Sequence, residues 1–148
     1  MANNYLLFSE TLELVNEKEI DWVVKELNRL EEKRDDNDNP MLDFQWSLGK
    51  GEIWFYTEEA GEPEKVGLFV QEFLKEFYPD ETFTLTWATT CSRPRVGEFS
   101  GGGMLVTSQK LYFIEAGDWI RQKRESIKKR NSSWWWRLRS WYKKKKKT

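Results

Sequence analysis

The chain contains no histidine. That removes the commonest general base, the commonest metal ligand and the usual partner of a serine or cysteine nucleophile. It has one cysteine, Cys91, so no disulfide can form within the chain, which fits a reducing cytoplasm. No stretch approaches the ~20 apolar residues that a membrane-spanning helix needs. The opening Met1-Ala2-Asn3-Asn4-Tyr5 lacks the basic start of a secretion signal. These absences point to a cytoplasmic protein, soluble or peripheral to a membrane. Cations are also scarce over most of the chain. Residues 1–120 carry 11 Lys+Arg against 24 Asp+Glu, a net of −13. Residues 121–148 carry 13 Lys+Arg against the single acid Glu125, a net of +12. The overall charge of −1 hides this polarity. A dense cationic end either folds back on its own acidic body or seeks an anionic partner.

What is present is enough for one domain, residues 1–120, followed by a basic, Trp-rich end, residues 121–148. Nine tryptophans and an aromatic share of 16% supply large side chains for a core. Tyr5-Leu6-Leu7-Phe8 reads as a first strand. Asn16 with Glu19 three residues on is a capping box, and Ile20, Val23, Val24, Leu27 and Leu30 recur at helical spacing. The charged, turn-forming stretch from Glu31 to Pro40 ends that helix. Leu42, Phe44, Trp46 and Leu48 alternate with polar residues, and Gly49-Lys50-Gly51 turns the chain into Ile53-Trp54-Phe55-Tyr56, a hairpin. Pro63 suits a helix start, and Val66, Phe69, Val70, Phe73, Leu74 and Phe77 form its stripe. Phe83, Leu85 and Trp87 alternate with threonines as a further strand. Met104-Leu105-Val106 and Leu111 to Ile114 flank a turn at Ser108-Gln109, and Asp118 is placed to cap a last helix from Trp119. The predicted class is α+β: a ferredoxin-like βαββαβ order with an antiparallel sheet and helices on one face, plus an extra hairpin and a C-terminal helix.

The densest site-like stretch is Thr89-Thr90-Cys91-Ser92-Arg93-Pro94-Arg95-Val96-Gly97-Glu98-Phe99-Ser100-Gly101-Gly102-Gly103. Read as a loop, it offers two guanidinium forks at a proline-stiffened spacing, and glycine backbone N–H groups able to approach an anion. On that reading Arg93, Arg95, Glu98, Gly101, Gly102 and Gly103 line a phosphate or carboxylate site. The competing reading is a plain connection whose arginines pair with acids such as Glu98. No phosphate fingerprint is matched: the Lys-Ser/Thr of a P-loop and the G-x-G-x-x-G spacing are both missing. Cys91 is a weak nucleophile candidate, since it has no histidine base and the Cys-x5-Arg spacing fails at Gly97. Glu58, Glu59, Glu62 and Glu64 cluster at a helix start, where negative charge offsets the helix dipole. Asp35, Asp36 and Asp38 read as solvated.

The stretch TWATTCSRPRVGEFSGGGMLVT, with WFYTEEAGEPEKVGLFVQEFLKEFYPD and the opening YLLFSE, resembles a family of small uncharacterised bacterial proteins. The resemblance spans most of Tyr5 to Thr107. It implies no activity, cofactor or substrate, and it leaves out the basic end.

That end continues as a charged helix to Arg130 and meets a predicted break at Asn131-Ser132-Ser133. Then follow Trp134, Trp135, Trp136, Arg137, Leu138, Arg139, Ser140, Trp141, Tyr142 and the lysines Lys143, Lys144, Lys145, Lys146 and Lys147. If helical, Trp134, Leu138 and Trp141 share a face, with Trp135 and Tyr142 beside them. Three roles compete: binding nucleic acid or another polyanion, lying on an anionic membrane surface, or docking on the chain's own body. The leading expectation is a non-enzymatic binding or accessory protein that contacts an anionic partner, nucleic acid first, through the tail and the Arg/Gly stretch. The alternatives are a peripheral membrane protein and an enzyme using Cys91 with Arg93, Arg95 and Glu98. No cofactor or metal is implied, and the sequence leaves a protein partner or homo-oligomer open.

Overall fold

Six strands form one antiparallel sheet in the computed structural model, which describes residues 2–145. Of Trp136, Ser140 and residues 142–145 only the backbone is described. The chain divides into two units, Met1–Ile114 and Glu115–Thr148.

In the first unit, strand β1 (Asn4–Glu13) is followed by helix α1 (Glu17–Glu31), the hairpin β2 (Gln45–Leu48) and β3 (Glu52–Thr57), helix α2 (Pro63–Phe77) and strand β4 (Thr82–Cys91). A second hairpin, β5 (Ser100–Thr107) and β6 (Leu111–Glu115), completes the sheet, whose strand order is β2-β3-β1-β4-β5-β6. The two longest strands, β1 and β4, lie side by side in the middle, with Phe8 opposite Trp87 and Asn4 opposite Cys91.

Cross-strand partners share a face of a sheet, and the register sorts the side chains cleanly. Phe8, Ile53, Phe55, Phe83, Leu85, Met104 and Val106 are all buried and all lie on one face. They form a single core with Val23 and Leu27 of α1 and with Val66, Phe69, Val70, Phe73 and Leu74 of α2. Both helices therefore cover that face. Phe55 sits at its centre, edge-on to Phe44 at 5.6 Å, Phe69 at 5.7 Å and Phe83 at 6.4 Å between ring centroids. Trp22 of α1 bridges the two helices, its ring 5.8 Å from both Phe69 and Phe73 and 5.9 Å from Phe77. The opposite face carries Tyr5, Leu7, Ser9, Thr11, Trp54, Tyr56, Thr84, Thr86, Ala88 and Leu105, none of them buried.

The N-cap of α1 is built as its sequence dictates. The Asn16 side chain accepts the Glu19 N–H at 3.1 Å. Glu19 is buried, and its carboxylate accepts from the Val15 N–H at 2.8 Å, the Asn16 amide at 2.9 Å and the Tyr78 hydroxyl at 2.7 Å. Tyr78 is the C-cap of α2, so this one carboxylate ties the start of α1 to the end of α2. Donating to Glu19 raises the Tyr78 pKa, with burial acting in the same direction. Folding thus favours the neutral phenol. The stability this adds is complete below pH ~10, the phenol's ordinary value, and is lost as pH climbs through the raised one. Thermal melts of wild type and Tyr78→Phe are expected to differ at pH 8 and to converge as the pH rises through the raised phenol pKa. A gap that is constant with pH would contradict this assignment.

Several boundaries differ from those read in the sequence. β1 runs on to Glu13, because its second half pairs with β3 from Phe8 opposite Thr57 to Glu13 opposite Glu52. The strand expected from Leu42 begins only at Gln45, although Phe44 is buried in the core. Gly101, Gly102 and Gly103 are strand, not loop. They pair with Ala88, Trp87 and Thr86. The last helix, α3 (Ala116–Lys145), starts before Asp118 and runs unbroken through Asn131-Ser132-Ser133. No glycine or proline interrupts it there. The Ser132 hydroxyl donates back to the Lys129 carbonyl at 2.9 Å, which satisfies that side chain within the helix.

Candidate functional site

Between β4 and β5 the chain makes a short exposed turn. Arg93 and Arg95 are exposed, and among the described residues neither forms an ion pair. The turn is tight: the Arg95 N–H donates to the Arg93 carbonyl at 2.8 Å, and Gly97 takes a positive φ of 81°. It is stitched to the start of β1. The Asn4 amide donates to Glu98 at 2.7 Å, and Asn3 and Ser92 exchange two bonds of 2.9 Å, one through the Ser92 hydroxyl. Glu98 is thus held by Asn4 and not by an arginine. Cys91 ends β4, half-buried, opposite Asn4.

The glycines stand apart from this turn, in the β5 ladder. Their reason is packing. A Cβ on Gly102 would come within 2.4 Å of the Trp87 ring and 2.6 Å of the Ile114 carbonyl oxygen. A Cβ on Gly101 would meet the Trp87 carbonyl at 2.9 Å. The bare backbone of β5 leaves room for the Trp87 indole against Gly102. Gly102→Val is expected to expel that ring and cost roughly 2–3 kcal/mol, as overpacked core sites do, measured by chemical denaturation. A variant as stable as wild type would contradict this reason for the glycine.

The open face of the sheet is the feature that reading along the chain does not reveal, because only the pairing shows which residues gather there. Trp54 and Tyr56 stack with centroids 4.0 Å apart, and the Trp54 indole N–H donates to the Ser9 hydroxyl at 2.8 Å. A shallow groove of about 660 Å³ lies on this face, lined by Leu7, Ser9, Thr86 and Ala88 with Glu58 at its rim. Among the described residues no three or more Cys, Asp or Glu side chains are grouped to hold a metal. Glu58 and Glu59 are exposed, and Glu64 occupies the first turn of α2. Asp35 is bound by the N–H groups of Asn37 at 2.8 Å and Asn39 at 2.9 Å, which holds its pKa down.

The second unit is dominated by α3. At 1.5 Å per residue its 30 residues extend about 45 Å. Its large apolar side chains are exposed along its whole length: Trp119, Ile120, Ile127, Trp134, Trp135 and Trp141 each show between 48% and 62% of their surface. At helical spacing Trp119, Ile120, Ile127, Trp134, Leu138 and Trp141 fall within about 100° of arc, with Trp135 beside them, and they share that arc with Lys123, Arg130 and Arg137. Trp134 and Trp135 meet edge to face at 5.4 Å. Arg121, Lys123, Arg124, Lys128, Lys129, Arg130, Arg137 and Arg139 spread over the same helix, and Lys123 lies 5.7 Å above the Trp119 ring. The backbone of Trp136, Lys143, Lys144 and Lys145 is helical, and Lys146 and Lys147 lie outside the described residues. Among the described residues no helix is long and apolar enough to cross a membrane.

No family model, curated protein or solved structure matches this chain.

Proposed function

We propose that this protein is a non-enzymatic surface binder that lays α3 along an anionic membrane. The observation that carries the reading is the run of exposed Trp and Ile side chains along a cationic helix. Such a helix settles at the headgroup boundary, with its rings and aliphatic chains among the upper acyl segments and its cations beside the phosphates. Each Lys or Arg close to an anionic leaflet contributes about 1 kcal/mol. The 13 cations of residues 121–148 therefore exceed what short-lived attachment requires, and the apolar side chains favour one side for the lipid, with Lys123, Arg130 and Arg137 of that side reaching up to the headgroups.

Single-stranded nucleic acid is the second anionic surface that these cations suit, with indole rings stacking on bases at ~1–3 kcal/mol each. The aliphatic members of the stripe, Ile120, Ile127 and Leu138, favour lipid, since they gain nothing from a base. The first unit supplies the scaffold. We read its β1-to-β4 portion as ferredoxin-like, on the strength of the β2-β3-β1-β4 order with two helices on one face.

The test is flotation of the full chain with vesicles of phosphatidylcholine alone or with phosphatidylglycerol added, alongside titration with a single-stranded oligonucleotide. Flotation only with the anionic vesicles, together with weak, salt-labile oligonucleotide binding, is expected. Equal flotation with both lipids, or tight oligonucleotide binding without flotation, would overturn the membrane reading.

A further inference from the structure

We infer that the β4–β5 turn is a second lipid contact, carried by the first unit, in which Val96 enters the headgroup boundary while Arg93 and Arg95 hold lipid phosphates. The contact adds to, and rests on, the membrane role proposed for α3. The turn presents an apolar corner. The Glu98 N–H donates to the Arg95 carbonyl at 3.4 Å, and Gly97 has the positive φ of 81° that marks the third position of a type II turn. Val96 is then the other corner. Its side chain is 103% exposed, the most of any large apolar side chain among the described residues. A Cβ built on Gly97 would meet nothing within 4 Å, so the corner stands clear of the body. Phe99 follows, 55% exposed. Single exposed apolar residues need no explanation. Two within four residues, beside two unpaired arginines, call for one.

The charge suits the same surface. From Thr82 to Gly97 the chain carries Arg93 and Arg95 and no acid, inside a region, residues 1–120, whose net charge is −13. Glu98, the one acid of the turn, is half-buried and accepts from the Asn4 amide, so it does not draw the guanidinium groups inward. Guanidinium forks match the oxygens of a phosphodiester. An aliphatic corner matches the boundary just beneath those phosphates. A nucleic acid would use the arginines and leave Val96 in water, whereas an anionic leaflet uses both. The bonds from Asn3 and Asn4 already fix the turn, so contact costs little ordering.

The sheet also separates its two ends. Asn4 lies opposite Cys91, which puts the turn at the start of β1. Ile114, the last residue of the first unit, lies against Gly102 and Gly103 near the start of β5. The link to α3 therefore leaves from the end that carries the turn, and a chain held by α3 keeps that turn at high effective concentration near lipid. Lys50 lies at the other end, where the Leu14 N–H donates to the Gly51 carbonyl at 2.9 Å. The ten residues of β1 set the two ends about 33 Å apart.

The experiment places an environment-sensitive fluorophore on the full chain through Val96→Cys or Lys50→Cys, each in a Cys91→Ser background, and adds vesicles of phosphatidylcholine with phosphatidylglycerol. The label at 96 is expected to brighten and shift to the blue, and the label at 50 to stay as in water. Unlabelled Val96→Ser is expected to bind these vesicles about tenfold more weakly, the loss of one buried valine. Arg93→Gln with Arg95→Gln is expected to bind about thirtyfold more weakly at low salt. Flotation with a water-like signal at 96, equal shifts at 96 and 50, or wild-type binding by both variants would overturn this contact and leave α3 as the lipid anchor. The same shift from inorganic phosphate or polyglutamate, with none from vesicles, would also overturn it, since the turn would then be an ion or protein site. A chain that does not float at all would overturn the role of α3 and this contact together.

Discussion

Replacing Ile127, Trp134 and Trp141 with serine is expected to release the protein from anionic vesicles while leaving every charge in place. Each of these side chains is about half exposed on α3. Burying a large apolar side chain is worth about 1.5–3 kcal/mol. At the lower value three such losses amount to roughly 4.5 kcal/mol, or about two-thousandfold in partition. The reciprocal variant, Lys128, Lys129 and Arg130 to glutamine, keeps the stripe and removes three cations. Its expected loss is about 3 kcal/mol at low salt and less at physiological ionic strength, where charges are screened beyond ~8 Å. The contrast matters more than either number. A membrane-interfacial helix loses affinity at all salt concentrations when its apolar side chains go. A helix that only neutralises a polyanion tolerates that change and fails when its cations go. Vesicle binding isotherms at two salt concentrations decide between these behaviours.

Phe55→Ala is expected to destabilise the first unit by roughly 3–5 kcal/mol, the range for deleting a buried phenyl ring. Its ring is fully buried and meets three others edge to face, contacts that add to simple area burial. The surrounding residues come from β3, α2 and β4 and from the connection that carries Phe44, so the site has little freedom to collapse and the cavity persists. A domain of this size holds only ~5–15 kcal/mol in all, so the variant approaches the limit of folding at 37 °C. Urea denaturation followed by circular dichroism measures the change. A loss under 1 kcal/mol would mean that the core is not centred on this ring.

Much of the first unit is legible along the chain because local signals and tertiary packing agree. The Asn16 cap forms as written, although Glu19 reaches back to the Val15 N–H and not to that of Asn16, and the alternation Phe83-Leu85-Trp87 puts Phe83 and Leu85 in the core with Trp87 partly buried against it. The errors have physical causes too. Gly101-Gly102-Gly103 carry the composition of a loop, yet they are strand, because the partner that needs their missing side chains is Trp87, on the neighbouring strand and fifteen residues away from Gly102. Asn131-Ser132-Ser133 carries the composition of a break. Three weak helix formers cost only a few tenths of a kcal/mol each, too little to interrupt a helix with good formers on both sides. The arginines of the β4–β5 turn were easy to single out, but their separation from the glycine strand was not, since it follows from where β5 begins. The exposed edge β6 was equally hidden. An apolar run such as Tyr112-Phe113-Ile114 reads as core until the strand order shows that nothing in the sheet lies beyond it.

The central claim is that one side of α3 faces lipid. It is tested most directly by spin labels placed through cysteine at Ile127 and at Ser132, on opposite sides of the helix, in a Cys91→Ser chain bound to anionic vesicles. The expected result is a label at 127 relaxed by oxygen dissolved in the bilayer and one at 132 relaxed by a water-soluble nickel complex. Equal access of the nickel complex to both positions would contradict it.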